Sequence, residues 1–322
     1  MKRRHALALA AASLTAALPL ATRAQGFPSK ALRIVVPFAA GGVADITART
    51  VAQRMSETLG QAVVIDNRPG AGGVVAAEIV AKAEPDGHTF FLASNTPMMQ
   101  VPLLKKNPPY DPIKSFTPVT LVGRYIYVMV AGAQLPSQNA GELIQLARQQ
   151  PGKFNYGSYS GVTQLMFTRL KQEAKLDLNL IPYKGESPTV NDILGGHLHM
   201  TFATPTSVLQ HVQAGKLRAM AVLLPNRYNL MPQVPTAVEA GIPPLTAGTW
   251  AALFGPAKLP PEIAQRMSRE MAAVMARPDI RERVDKLGFD LASTTPAELA
   301  AFIPEQLQAW SKAFADAGMQ PE

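Results

Sequence analysis

The residues best suited to chemistry sit in two turns built from small side chains. The first is Pro37-Phe38-Ala39-Ala40-Gly41-Gly42-Val43-Ala44-Asp45, where an apolar run stops at a proline and a helical pattern restarts. The start of a helix presents backbone N–H groups without internal partners at the positive end of the helix dipole. Such an end attracts carboxylate or phosphate without any lysine or arginine. Gly41 and Gly42 would let an anion's oxygen approach the bare backbone. The same spacing also fits a plain strand-to-helix turn, with glycine at positive φ and Asp45 capping the helix or pairing with Arg49, and spacing alone leaves both readings open. The second turn, Gly157-Ser158-Tyr159-Ser160-Gly161-Val162-Thr163, is rich in hydroxyls. Ser160 or Thr163 is placed there to cap the next helix or to offer a hydroxyl to a ligand.

Other chemistries are excluded by what these and neighbouring segments lack. A nucleophile elbow needs serine midway between its glycines, and Tyr159 holds that place. The turn Gly70-Ala71-Gly72-Gly73-Val74-Val75 lacks the third glycine of a dinucleotide fingerprint, and neither glycine turn carries a P-loop lysine, so the stretch from Asn67 to Gly73 reads as architecture. His197 and His199 share a strand face, yet no nearby acid completes a metal set. The chain has no cysteine, which removes disulfides, thiol nucleophiles and thiolate metal sites. Paired carboxylates for acid–base work are absent. The reading is therefore no catalytic residue, no metal and no cofactor.

Those turns must be positioned by an alternation of strands and helices. Leu32–Val36 reads as a buried strand, and Ala48, Val51, Ala52, Met55 and Leu59 recur at helical spacing until Gly60. Ala62–Ile65 and the segment ending "TFFLAS" supply two more strands around an alanine-rich helix over 74–83. After a long extended run over 119–131, the alternation resumes through "FNYGS", "LNLIPY", "LHMTFA" and "RAMAVLL". The last third reads as helical, with Thr295 and Glu298 in capping-box spacing and Pro304 inside the final helix. This pattern predicts an α/β fold in which mostly parallel sheets are flanked by helices.

The ends and the charge set the compartment and the partners. Residues 1–24 combine Lys2, Arg3 and Arg4 with an apolar stretch from Ala6 to Leu18, the layout of a secretory signal peptide. That predicts export to the periplasm, with Sec and twin-arginine routes both open. The formal charge of +8 includes Lys2, Arg3, Arg4 and Arg23, and removing those four bases leaves +4 on the mature chain. This modest surplus favours anionic ligands, while the scattered placement of the bases argues against nucleic acid.

Eight ordered blocks carry a more specific signal: "IVVPFAAGGVADITAR", "VVIDNRPGAGG", "AEPDGHTFFLAS", "YGSYSGVTQL", "IPYKGESPTVNDILGG", "AGKLRAMAV", "VPTAVEAGIP" and "TW" near residue 250. Together they resemble the substrate-binding receptors of tripartite tricarboxylate transporters, the Bug receptors, across essentially the whole mature chain. The resemblance implies a two-lobed type II periplasmic binding protein with two hinge crossings. Residues 25–125 and 249–322 would form a discontinuous first lobe, and 126–248 the second. It implies a small organic carboxylate as ligand, bound by Phe38, Ala39, Ala40, Gly41, Gly42 and Asp45 with Ser94 and Asn95 from the first lobe. The second lobe would add Ser158, Ser160, Thr163, Tyr183, Gly185 and Thr204. It further implies a monomer that serves the permease subunits of such a transporter. A receptor for a membrane sensor kinase and, less favoured, an exported hydrolase are the alternatives.

The chain departs from the family pattern at Ala203, where many relatives place an acid after a phenylalanine, and at Gln164, where a histidine is common. The missing acid points to a carboxylate without an ammonium group, with an apolar or aromatic body. Asp45 could still accept a hydrogen bond from such a group.

Overall fold

A computed structural model describes residues 26–242 and 249–321; the predicted export signal, residues 1–24, lies outside them. The chain enters a first sheet with β1 (Leu32–Val36), β2 (Val63–Asn67), β3 (Thr89–Ser94) and β4 (Phe116–Tyr125). It then builds a second sheet from β5 (Val128–Gly132), β6 (Phe154–Ser158), β7 (Leu178–Pro182), β8 (Met200–Ala203) and β9 (Leu217–Val222), and returns to the first with β10 (Trp250–Pro256) and β11 (Phe289–Leu291). The orders are β11-β4-β10-β3-β1-β2 and β7-β6-β8-β5-β9. Each sheet with its helices makes one lobe of a two-lobed α/β fold.

Both sheets are mixed, where the sequence predicts mostly parallel ones. β1 pairs in parallel with β2 and β3, as β6 does with β7 and β8. The strands that carry the chain between lobes run the other way: β10 is antiparallel to β3 and β4, and β5 to β8 and β9. Helical crossovers enforce parallel pairing only within a βαβ unit. A strand that arrives from the other lobe is free of that rule.

Period-two alternation explains the layers. In β1, Leu32, Ile34 and Val36 face one apolar cluster while Val35 faces another, and in β3 Phe90 and Leu92 oppose Phe91 and Ala93 in the same way. The first cluster is closed by α1 (Val43–Leu59), through Ala48, Val51 and Met55. The opposite face is covered by α2 (Val74–Ala81), which contributes Ala76, Ala77 and Val80. After β3 a single wide turn of helix, Thr96–Gln100, runs into α3 (Val101–Leu104), an element the sequence pattern does not announce.

In the second lobe, α4 (Ala140–Gln149), α5 (Gly161–Ala174), α6 (Glu186–Leu194) and α7 (Pro205–Gln213) follow successive strands. α8 (Pro261–Met275), α9 (Pro278–Asp285) and α10 (Pro296–Asp316) complete the first. α10 starts at the predicted Thr295–Glu298 capping box and continues through Pro304. Its Trp310 and Phe314 share one apolar cluster with Phe167 of α5 and Phe202 of β8, so a core joins the lobes along this side.

The extended run predicted over 119–131 divides between the two sheets at Ile126-Tyr127. The crossing is tied by three backbone bonds: Tyr125 N–H to Thr249 at 2.9 Å, Ile126 N–H to Gly288 at 2.9 Å, and Leu223 N–H to Tyr127 at 2.8 Å. The two connections between lobes therefore lie side by side.

Candidate ligand site between the lobes

The turn between β1 and α1 is shaped by a small polar network. Gly41 takes φ +86°, a conformation open to glycine, and its N–H donates to Asp45 Oδ2 at 2.9 Å. Arg49 Nε lies 3.0 Å from Asp45 Oδ1, and its guanidinium donates to Asn67 Oδ1 at 2.8 Å. Asn67 Nδ2 in turn donates to the Phe38 carbonyl at 3.1 Å. Burial works to raise the Asp45 pKa, but Arg49, the Gly41 N–H and Asn67 outweigh it and hold the carboxyl below its ordinary range. Asp45 therefore stays ionised and pins the loop.

Gly42 is the N-cap of α1, with extended backbone (φ −79°, ψ 168°) and no side-chain cap. The first amides of a helix have no partner inside it. Gly42, Val43 and Ala44 line a cavity of about 320 Å³, a volume suited to a small metabolite. The end of β3 adds Ser94, Asn95 and Thr96, the interlobe crossings add Tyr125, Tyr127 and Thr249, and the second lobe adds Ser160, Val162 and Thr204. Phe38 closes the wall beside the glycines.

Most of this wall is apolar, yet it contains buried polar atoms that find no partner within the described residues: Ser94 Oγ, Tyr125 Oη and Thr249 Oγ1. Buried polar groups are rarely left unsatisfied in native proteins, so such atoms mark places where water or a ligand completes the bonding. Asn95 instead anchors the return strand, its Oδ1 accepting the Trp250 N–H at 2.7 Å. Tyr125 is braced edge-on against Phe289, with ring centroids 4.9 Å apart.

Across the cavity, Ser160 caps α5 in a reciprocal capping box with Thr163, whose N–H donates to Ser160 Oγ at 3.2 Å. Ser158 Oγ and Thr163 Oγ1 lie 2.9 Å apart behind it. These hydroxyls hold one another and the helix start. Thr204, the N-cap of α7, donates through its N–H and its hydroxyl to Glu186 Oε1, the latter bond measuring 2.9 Å. Burial raises the Glu186 pKa above the ordinary carboxylate range, against the downward pull of the two bonds from Thr204. An acid thus stands directly behind Thr204.

Of the residues singled out in the sequence, Phe38, Gly42, Ser94, Asn95, Ser160 and Thr204 line this cavity. Ala39, Ala40 and Gly41 form the exposed outer part of the loop. Asp45, Ser158 and Thr163 are buried behind the wall. Gly185 caps α6, and Tyr183 is bonded to Asp192, its phenol pushed up to about 12 by burial and by that carboxylate. Sequence reasoning passed over Tyr125, Tyr127 and Glu186. The tyrosines alternate in "RYIYV", a spacing that puts both on one side of an extended segment, and that was an available signal. Glu186 follows Gly185 at a helix start, where an acid reads merely as dipole compensation.

Among the described residues no group of three or more His, Asp or Glu is placed to hold a metal, and no helix is long and apolar enough to cross a membrane. His199 Nδ1 accepts the Asn155 N–H at 2.9 Å, a structural bond, and burial lowers its pKa.

Comparison with known proteins decides the class. The family described as "Tripartite tricarboxylate transporter family receptor" matches residues 47–319. The chain belongs to this receptor family. Protein BugT of Bordetella pertussis is 31% identical, covering 94% of this chain and 94% of its own. A Pseudomonas sp. (strain P51) protein known as "UPF0065 protein in tcbD-tcbE intergenic region" is 34% identical over 96% of this chain and 93% of its own. Among solved structures, the periplasmic binding protein BugD superposes with TM-score 0.74 at 32% identity, covering 92% of this chain and all of its own. An R. palustris protein solved with adipate gives 0.78 at 30% identity over 92% and 100% of the two chains. MatC from Rhodopseudomonas palustris with bound malate gives 0.71 at 30% over 89% and 99%. This receptor-family member thus has the architecture of periplasmic solute-binding proteins, a non-enzymatic class, and is a ligand-binding receptor.

Proposed function

We propose that the chain is a periplasmic receptor that captures a small organic carboxylate between its lobes and delivers the closed complex to the permease of a tripartite tricarboxylate-type transporter. Lobe one comprises residues 25–125 and 249–322, lobe two 126–248, and the receptor works as a monomer. The observation that carries this reading is the first turn of α1 opening into an interlobe cavity, with unpartnered hydroxyls of Ser94 and Thr249 in the same wall. One carboxylate oxygen pair takes the amides of Gly42, Val43 and Ala44. The rest of the ligand meets Tyr125, Tyr127 and the second-lobe turns at Ser160 and Thr204. The relatives solved with adipate and malate support a carboxylate as ligand.

Closure follows from where these groups sit. A ligand held by both lobes binds the closed form more tightly than the open one, and that difference shifts the hinge equilibrium. Closing also removes water, and each charge-assisted amide–carboxylate bond then contributes roughly 1.5–3 kcal/mol.

The test is Gly42→Val. The Gly42 backbone is extended, and a Cβ there would meet only the Ala39 carbonyl, at 3.7 Å, so the fold accepts a side chain. That side chain occupies the cavity wall where the anion binds. Calorimetry against mono-, di- and tricarboxylates should show affinity falling by at least about tenfold, which is about 1.4 kcal/mol, with the melting temperature of the free protein unchanged. Unchanged affinity for the ligand that wild type prefers would remove the anion from this loop.

A further inference from the structure

The cavity described above shares part of its wall with another. Tyr125, Tyr127 and Thr249 also line a second cavity, of about 390 Å³. It lies between the lobes along the hinge. Met166 of α5, Leu223 and Ala237 reach it from the second lobe; Trp250, Phe302 and Gln306 reach it from the first. Its wall is chiefly aliphatic and aromatic apart from Arg124, whose charge is felt by Asp290, and Trp250 and Phe302 meet edge to face with centroids 5.7 Å apart.

Two buried donors at this boundary have no partner among the described residues. They are the indole N–H of Trp250, a residue 1% exposed, and the hydroxyl of Thr249, 6% exposed. A buried indole N–H normally finds an acceptor. Both residues line the second cavity, whose remaining wall is largely apolar. The second lobe supplies no carboxylate at position 203, where Ala203 is fully buried.

We propose that the two cavities are one binding site, and that the ligand is an elongated carboxylate whose uncharged apolar or aromatic body passes Tyr125, Tyr127 and Thr249 into the hinge chamber. The inference rests on carboxylate capture at the start of α1 and extends it to the substrate class. The carboxylate stays at the α1 amides, and the body displaces water from the chamber. An uncharged acceptor on that body, such as a carbonyl or ether oxygen, meets Trp250 Nε1 and Thr249 Oγ1. The chamber takes walls from both lobes beside the crossings, so filling it holds the hinge in one geometry. A compact polyacid uses only the amide end and leaves the chamber unfilled.

The experiment is a calorimetric titration of the purified protein with butanoate, hexanoate, octanoate, 4-phenylbutanoate, malate and adipate. Wild type should gain about three- to fourfold in affinity for each added methylene, and 4-phenylbutanoate should bind well above butanoate. Gln306→Trp, on α10 and lining only the hinge chamber, should flatten that dependence while leaving butanoate affinity within about twofold. Phe302→Ala enlarges the chamber and should move the preference toward bulkier acids, a gain that a merely damaged fold cannot produce. Equal affinities for butanoate and octanoate in wild type would overturn the two-chamber site and leave carboxylate capture standing. An undiminished length dependence in Gln306→Trp, with no shift in Phe302→Ala, would overturn it too. Failure of every acid, including malate and adipate, to bind would overturn both readings.

Discussion

Asp45 and Glu186 are two acids on opposite sides of the cleft whose environments push them apart. Asp45 is held ionised by Arg49 and the Gly41 amide, so its contribution to stability is present above the unfolded carboxyl range and is lost as pH falls through its lower folded value. Glu186 behaves in the reverse sense. Burial raises its folded pKa, so the folded chain keeps a proton that the unfolded chain releases near pH ~4.3. Stability from this group is complete below that point and declines as pH rises through the folded value. Glu186→Gln retains an acceptor for Thr204 and removes the titration. Its melting temperature relative to wild type should therefore climb as pH rises above about 4.5 toward the folded pKa, measured by scanning calorimetry. A difference that stays flat as pH rises from there would show that the fold does not raise the Glu186 pKa. At this scale the sequence was partly readable. Gly41 and Gly42 announced a turn with bare backbone, but which amides remain available depends on the Asp45–Gly41 bond. That bond moves the open donors onto Gly42, Val43 and Ala44, a shift that spacing does not encode.

The elements themselves were legible wherever apolar period and caps agreed. α1, α5 and α10 follow their predicted patterns, and the Ser160 and Thr295 caps are formed. β10 and β11 escaped because their cause is distant. β11 has three residues and exists through antiparallel pairing of Phe289–Leu291 with Tyr125–Gly123. β10 carries apolar side chains on both faces, Trp250 and Phe254 toward one cluster and Leu253 toward the other, so no alternation marks it as a strand. Gly123 shows how closely these strands fit. A Cβ there would lie 2.2 Å from the Asp290 carbonyl at a φ of +155°, so only glycine lets β4 and β11 meet beside Tyr125. Gly123→Ala should cost about 1–3 kcal/mol by urea unfolding. Because Tyr125 lies two residues on, it should also weaken ligand binding. A variant as stable as wild type would mean that β11 can peel away without loss.

For the whole molecule, the decisive feature is that two glycine- and hydroxyl-bearing turns far apart in sequence open onto one space. The eight ordered blocks made the family recognisable, and with it the two-lobed plan. Local sequence could not show that Tyr125, Tyr127 and Thr249 stand in the middle of that space, because they are brought there by crossings between lobes and not by any motif. Nor could it show the continuous core through Phe167, Phe202, Trp250 and Trp310, which joins the lobes along α10. The two crossings between lobes are bonded at Tyr125–Thr249 and Tyr127–Leu223, and the proposed closure would turn about them. In the proposed capture, backbone amides at the start of α1, rather than a cationic side chain, hold the ligand's carboxylate. Amide NMR of the labelled protein during titration with the best-binding acid reads this out residue by residue. The amide protons of Gly42, Val43 and Ala44 should move downfield and saturate with the calorimetric dissociation constant. Saturating binding that leaves those three resonances in place would contradict it.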